Sequence, residues 1–341
     1  LIIGNFSRFS GAGIAHVGLS NGGVIKNNRI LFNEVFYGLL LTGAGDAGGI
    51  YLAGEVIDGD GAGSLTVEGN KIQGNLAGSG DGGGIRTYAF NGTDVPVAPH
   101  ALNITNNIIA NNVAGQSGGG IFLQDTTNAT IVSNTIVNND STATSALSFD
   151  VGLGNSTPRP AGLVVTAHSP ALAGVSGEAF PHPILQNNII WHNRSFYSDA
   201  TRKINQGDLG FHDYWDLAVM NTGTASDQMD ISYSVLSSLS GPNGEVYSDA
   251  LDNNRIDDPA FVHYVTNELF SAAVLDEGGN AISVRFTPLF ENSVDYHLTD
   301  CSPLVDVGVD NADTPIVDFD GDARPDVNVS DIGADEYIAT Q

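Results

Sequence analysis

The sequence predicts an all-β chain: a single-stranded right-handed parallel β-helix, a solenoid with loop excursions and a C-terminal capping segment. Two recurring phrases and one absence predict it. A small-small-Gly-Ile phrase appears as Gly11-Ala12-Gly13-Ile14, Ala47-Gly48-Gly49-Ile50, Gly82-Gly83-Gly84-Ile85 and Gly118-Gly119-Gly120-Ile121, its isoleucines spaced by 36, 35 and 36 residues. Interleaved with it runs Asn-x-Ile-x-x-Asn, at Asn28-Arg29-Ile30 with Asn33, Asn70-Lys71-Ile72 with Asn75, Asn107-Ile108-Ile109 with Asn112, Asn134-Thr135-Ile136 with Asn139, and Asn188-Ile189-Ile190 with Asn193. No stretch keeps the apolar period of an amphipathic helix, and 42 glycines weaken helices further.

Each phrase has a physical reason. Strands stacked at ~4.8 Å place equivalent side chains over one another, so Ile14, Ile50, Ile85 and Ile121 are expected to build an aliphatic column. Asparagines at the bends, Asn28, Asn70, Asn107, Asn134 and Asn188, tolerate left-handed backbone and can bond to one another as an amide ladder. Glycine serves the tightest bends. One turn is expected to hold a Gly-Ile strand and an Asn-Ile strand. In Ile14-Ala15-His16-Val17 the same register turns His16 inward, where a hydrogen bond is expected to satisfy it.

Coils are expected over residues 1–236, with excursions near 140–183 and 194–224, and the last coils and a capping module over 237–341. Ala161-Gly162-Leu163-Val164-Val165 reads as an inner strand inside the first excursion. Ile231-Ser232-Tyr233-Ser234-Val235 reads as a strand after the second. The chain opens on a strand-like Leu1-Ile2-Ile3 without the profile of a signal peptide, which predicts that earlier coils of a longer polypeptide precede it.

Composition narrows the function. Thirty-nine acidic against 12 basic residues give a formal charge of −27, which repels nucleic acid and anionic membrane surfaces. The single cysteine, Cys301, excludes an intrachain disulfide framework, and no apolar run reaches the length of a membrane span.

The chain resembles bacterial extracellular right-handed parallel β-helix repeat proteins with a choice-of-anchor Q type C-terminal region. The repeats carry that resemblance together with Asn187-Asn188-Ile189-Ile190-Trp191, Asp258-Pro259-Ala260-Phe261-Val262, Asp295-Tyr296-His297-Leu298, Ser302-Pro303-Leu304-Val305-Asp306-Val307-Gly308, Asp318-Phe319-Asp320-Gly321-Asp322-Ala323-Arg324-Pro325, and Asp331-Ile332-Gly333-Ala334-Asp335-Glu336-Tyr337. It implies secretion or cell-surface display, used for adhesion and cell-wall association.

Three residue groups are candidates for chemistry. Asp318, Asp320, Asp322 and Asp326 around Gly321 resemble a calcium loop, the only cofactor suggested, since none is required; the alternative is structural, with Arg324 forking onto carboxylates and holding the terminal segment. The run Ile332 to Ile338 is then expected as a strand closing the open end of the column. The second excursion gathers Asp199, Arg202, Lys203, His212 and Asp213, the groups a sugar-cleaving enzyme needs. Its aromatics Tyr197, Phe211, Tyr214 and Trp215 suit stacking on a glycan. The histidines show no close pair at zinc-ligand spacing.

The resulting reading is a secreted or cell-surface structural or adhesive element, an adhesin, surface-layer or filament subunit, possessing glycan-binding capacity. Its expected partners are an extracellular glycan or surface protein, or a second copy joined end to end. The alternative is a polysaccharide lyase or glycoside hydrolase with a cleft on one face of the coil.

Overall fold

The computed structural model describes residues 1–35, 45–149, 154–199, 209–223, 227–243, 245, 247, 252–267, 269, 294–326 and 328–338. Strands dominate, and they wind into a right-handed parallel β-helix. Each coil carries four short strands where two were expected from the two phrases. One coil reads Lys71–Gln73, Leu76–Ala77, Ile85–Tyr88 and Leu102–Thr105. Equivalent strands stack in parallel into four sheets of seven, six, six and six strands, numbered in the order a coil visits them, and the second gains an antiparallel strand at its edge, Leu209–Tyr214. The first and third sheets hold the Asn-Ile and Gly-Ile phrases.

The aliphatic column forms as the repeat predicts. In the third sheet Ile14, Ile50, Ile85, Ile121, Leu163 and Leu217 pair in register from coil to coil. Facing them in the first sheet are Ile2, Ile30, Ile72, Ile109, Ile136, Ile190 and Leu236. Both rows belong to one continuous cluster. His16 lies in the inward row with Leu52, and its Nε2 meets the Ala62 carbonyl at 3.0 Å. The Leu163–Thr166 strand continues the third sheet from the first excursion, where Ser169 caps the short helix Pro170–Ser176.

Two asparagine ladders run along the coil. In the first, the backbone N–H and Nδ2 of Asn28, Asn70, Asn107 and Asn134 each donate to Oδ1 of the next member, ending on Asn188, which donates its N–H to Ser234 Oγ. The second joins Asn5, Asn33, Asn75, Asn112, Asn139 and Asn193, and ends on the carboxylate of Asp216. The ladder bonds all run from donor to acceptor towards the last coil, while Nδ2 also donates back to a carbonyl of the preceding coil, as from Asn70 to Ile25 O, and an acceptor-only carboxylate suits the end where the last donors emerge.

The ladder asparagines are not the left-handed residues. Positive φ falls on the residue before each of them: Asn27, Gly69, Asn106, Ser133 and Asn187 in one row, Gly4, Phe32, Gly74, Asn111, Asn138 and His192 in the other. The corner residue makes the bend and points outward, which leaves its successor free to point inward. The same rule splits the expected Ile231–Val235 strand. Tyr233 is a left-handed corner (φ 46°), so Ile231–Ser232 joins the fourth sheet and Val235–Leu236 the first.

The C-terminal segment covers a flank, where closure of the column's end was expected. Phe261, Val294, Tyr296, Leu298, Leu304, Ile332 and Ala334 pack on the outer face of the first sheet, against Ile108, Ala110, Val137, Ile189 and Trp191. Corner asparagines hold it: Asn106, Asn111 and Asn187 donate Nδ2 to the carbonyls of Val317, Val265 and Val309. The run around Ile332 is irregular, because its N–H groups bond to Leu304 O, Asn187 O and Thr135 Oγ1 and not to one neighbouring strand. At the column's last coil, Tyr247 packs with the cluster that holds Leu217, Met229 and Leu236. No helix among the described residues is long and apolar enough to cross a membrane.

Candidate functional site

The second excursion begins where the second ladder passes Asn193. Arg194 forks onto buried Asp140 through Nε (2.7 Å) and Nη2 (2.8 Å), which fixes the strand Arg194–Ser198. Leu209–Tyr214 returns antiparallel to it. This hairpin places aromatic rings beside the corner of the last coils. Phe211 meets Tyr214 edge-on at 5.5 Å, Tyr214 stacks on His192 at 4.4 Å, and Trp191, stacked on His192, meets Tyr264 edge-on at 5.5 Å.

Phe211, Tyr214 and Tyr264 are exposed, by 51%, 36% and 37%, while Trp191 is buried beneath them. His192 is held at a left-handed corner by its N–H to Ser237 Oγ, at 2.7 Å. Burial first, and then Arg194, push its imidazole down to about 4 against the pull of Asp258, so at neutral pH it is an uncharged flat ring. The result is a strip of faces and edges with polar tips, the surface on which sugar rings stack.

The structure divides the expected site. Tyr214 lies in the strip. Tyr197 lies over Gly210 on the hairpin and makes no ring contact with the strip among the described residues. Trp215 is buried with Phe122, Val164 and Ala218 on the outer face of the third sheet, so it offers no face to a ligand. The reason is period two: Tyr214 and Trp215 are neighbours in an extended segment and point to opposite sides. His212 and Asp213 are exposed on the returning strand, and Asp213 accepts the Tyr214 N–H. Asp199 is half-buried at the hairpin's edge, and Arg202 and Lys203 lie outside the described residues.

Sequence reading overlooked His192, Trp191 and Tyr264, which no local motif joins. It also overlooked a polar row four residues before each phrase isoleucine: Ser10, Asp46, Asp81 and Ser117. Asp46 N–H donates to Ser10 Oγ, Asp81 N–H to Asp46 Oδ1, and Ser117 N–H to Asp81 Oδ1. Beside this row, buried Arg86 lies over the Phe122 ring and 3.7 Å from Asp46. Burial outweighs Arg86 and pushes Asp81 up to about 7, and Asp46 is raised in the same way. The repeat of a hydrogen-bonding residue at that position was the available signal.

The four aspartates of the expected calcium loop do not converge. Asp318 Oδ1 accepts the N–H groups of Asp320, Gly321 and Asp322, and Oδ2 accepts that of Glu336. Asp322 and Asp326 are exposed, and Asp320 turns to His297 Nε2 at 2.5 Å. Buried Arg324 donates to Gly333 O and lies 3.3 Å from Glu336, so its carboxylate partner is Glu336. Asp295 takes the other ring nitrogen of His297. Asp320 first, then Asp295, push that imidazole up to about 10.

Buried carboxylates set a pH dependence. Burial raises Asp46, Asp81, Asp140, Asp216, Asp331, Asp335 and Glu336, among them Asp81 and Glu336 to about 7 and Asp216, Asp331 and Asp335 to about 6. A carboxylate raised on folding binds its proton more tightly in the folded chain, so it adds stability as pH falls through the folded value. Lowered His192 opposes them below its ordinary value of 6.5. Seven raised carboxylates, with His297 raised by its two aspartates and acting in the same direction, outweigh one lowered imidazole. The melting midpoint is expected to rise by about 4 °C between pH 8 and pH 5.5, and calorimetry showing a flat or falling midpoint would contradict this.

Residues 2–170 match the family model described as right handed beta helix region. No curated protein and no solved structure matches the chain.

Proposed function

We propose that the chain is an extracellular or cell-surface structural element whose stiff coil presents a ring strip to a polysaccharide or a glycan-bearing surface. The observation that carries this is the run of exposed Phe211, Tyr214 and Tyr264 over His192 and buried Trp191. Ladders and an uninterrupted core hold the strip's backbone still, so a ligand pays little ordering entropy there. The charge of −27 favours neutral or cation-bridged glycans over polyanions.

Calorimetric titration with soluble neutral polysaccharides tests the reading. Tyr214→Ala is expected to weaken the tightest binder about tenfold, the loss of roughly one stacking contact, while Tyr88→Ala on the third sheet leaves it unchanged. Equal binding by Tyr214→Ala, or no binding across the panel, would refute it.

One observation favours cleavage as the second reading. Asp46 and Asp81 sit on adjacent coils beside Arg86, and Asp81, pushed up to about 7, is suited to act as a general acid. New reducing ends that vanish in Asp81→Asn would support this reading in place of binding alone.

A further inference from the structure

Three segments distant in sequence meet at one corner of the C-terminal module: the strand Asp295–Leu298, the loop 318–322 and the run 331–336. We propose that His297 Nε2, Asp320 and Asp335 are the protein ligands of a site for a divalent transition-metal ion of the zinc class, with water completing the shell. Their ligand atoms all lie within 4.8 Å of one another. A single ion at ~2.0–2.2 Å from each donor can bridge such a set.

The supports of these ligands are those of a metal site. Asp295 bonds to Nδ1 of His297 and so fixes the ring with Nε2 facing inward, the orientation that metal-bound histidines take from an outer carboxylate. Leu298 N–H donates to Asp335 Oδ2 at 2.7 Å and fixes that carboxylate. Asp318, by contrast, has both oxygens turned to backbone N–H groups, which holds the loop that presents Asp320.

Asp335 supplies the independent observation. Its side chain is about nine-tenths buried, yet among the described residues the nearest cationic atom to Oδ1 is His297 Nε2 at 4.0 Å, beyond hydrogen-bond reach. A charged imidazole bridging Asp295 and Asp320 satisfies those two groups and stands too far from Asp335 Oδ1 to bond it. A divalent ion answers all three ligands at once. An imidazole among the donors and only two carboxylates favour zinc over calcium, which takes six to eight oxygens. The spacing escapes sequence reading because the ligands lie at 297, 320 and 335, with no local histidine pair.

Zinc calorimetry and cobalt absorption on the intact, chelator-treated chain test the site. One zinc per chain is expected, with Kd of about 10 μM or tighter, and a visible cobalt band that zinc abolishes. His297→Gln and Asp335→Asn are each expected to weaken zinc at least ~10-fold, while Asp322→Asn stays within ~2-fold. Because Asp335 is buried, Asp320→Asn at the half-exposed ligand serves as the variant least able to disturb folding, and it too is expected to lose affinity. No saturable zinc binding, equal affinity in all variants, or calcium displacing zinc at equal concentration would overturn the proposal.

Discussion

Asn107→Leu is expected to cost about 4 kcal/mol of stability, the sum of several buried polar groups left unpaired at roughly 1–3 kcal/mol each. Oδ1 of Asn107 accepts the N–H and Nδ2 of Asn70, and its Nδ2 donates to Val67 O, Thr105 O and Asn134 Oδ1. Leucine is similar in size, so little of the loss comes from volume; nearly all comes from donors and acceptors sealed from water. Asn28, at the half-buried start of the same ladder, can recover its bonds from solvent, and Asn28→Leu is expected to cost under ~1 kcal/mol. Urea unfolding of both variants measures the difference, and equal midpoints would contradict the ladder's role.

Gly84→Val is expected to cost on the order of 4 kcal/mol, the severe end of overpacking. A Cβ at Gly84 would lie 2.6 Å from Gly120 O, 3.0 Å from Ile109 Cγ2 and 3.1 Å from Asn112 Nδ2. The first is backbone of the next coil, the second belongs to the core column and the third to a ladder, so none can give way alone. Gly13 and Gly120 meet the same three kinds of neighbour. Gly174 lies in the short helix with nothing within 4 Å, and Gly174→Ala is expected to stabilise by ~0.5–1 kcal/mol. Thermal unfolding that ranks these two substitutions the other way would show the glycine phrase to be dispensable.

Much of this architecture was legible because repetition makes one residue's environment the next one's. Ile50, Ile85 and Ile121 stack because each coil sees its own copy, and the Asn-x-Ile phrase names both the column and the first ladder. The four-strand coil was less legible. Strands of two residues, such as Leu76–Ala77, show no alternation long enough to read.

The docked flank did leave a trace. Before the inward isoleucine of the first sheet stand Arg29 and Lys71, then Ile108, Thr135 and Ile189, and the change from charged to mostly apolar marks where the C-terminal segment covers the outer face. Asn-Asn pairs carry a second trace, one amide outward to that segment and one inward to the ladder, as in Asn106 with Asn107.

The ring strip was only partly legible, through Phe211 and Tyr214. His192, Trp191 and Tyr264 reach it from a coil corner and from the terminal segment, and such tertiary meetings have no period to betray them. Trp215 shows the converse limit: an aromatic cluster in sequence splits across two faces when the backbone is extended.

Hydroxyl-radical footprinting with the tightest glycan tests the functional claim most directly, because it reports which rings a ligand covers. The expected result is protection of Phe211, Tyr214 and Tyr264, with buried Trp215 unchanged and no new reducing ends. Unprotected rings at those three positions, or protection gathered at Tyr51 and Tyr88 near Asp46 and Asp81, would contradict it.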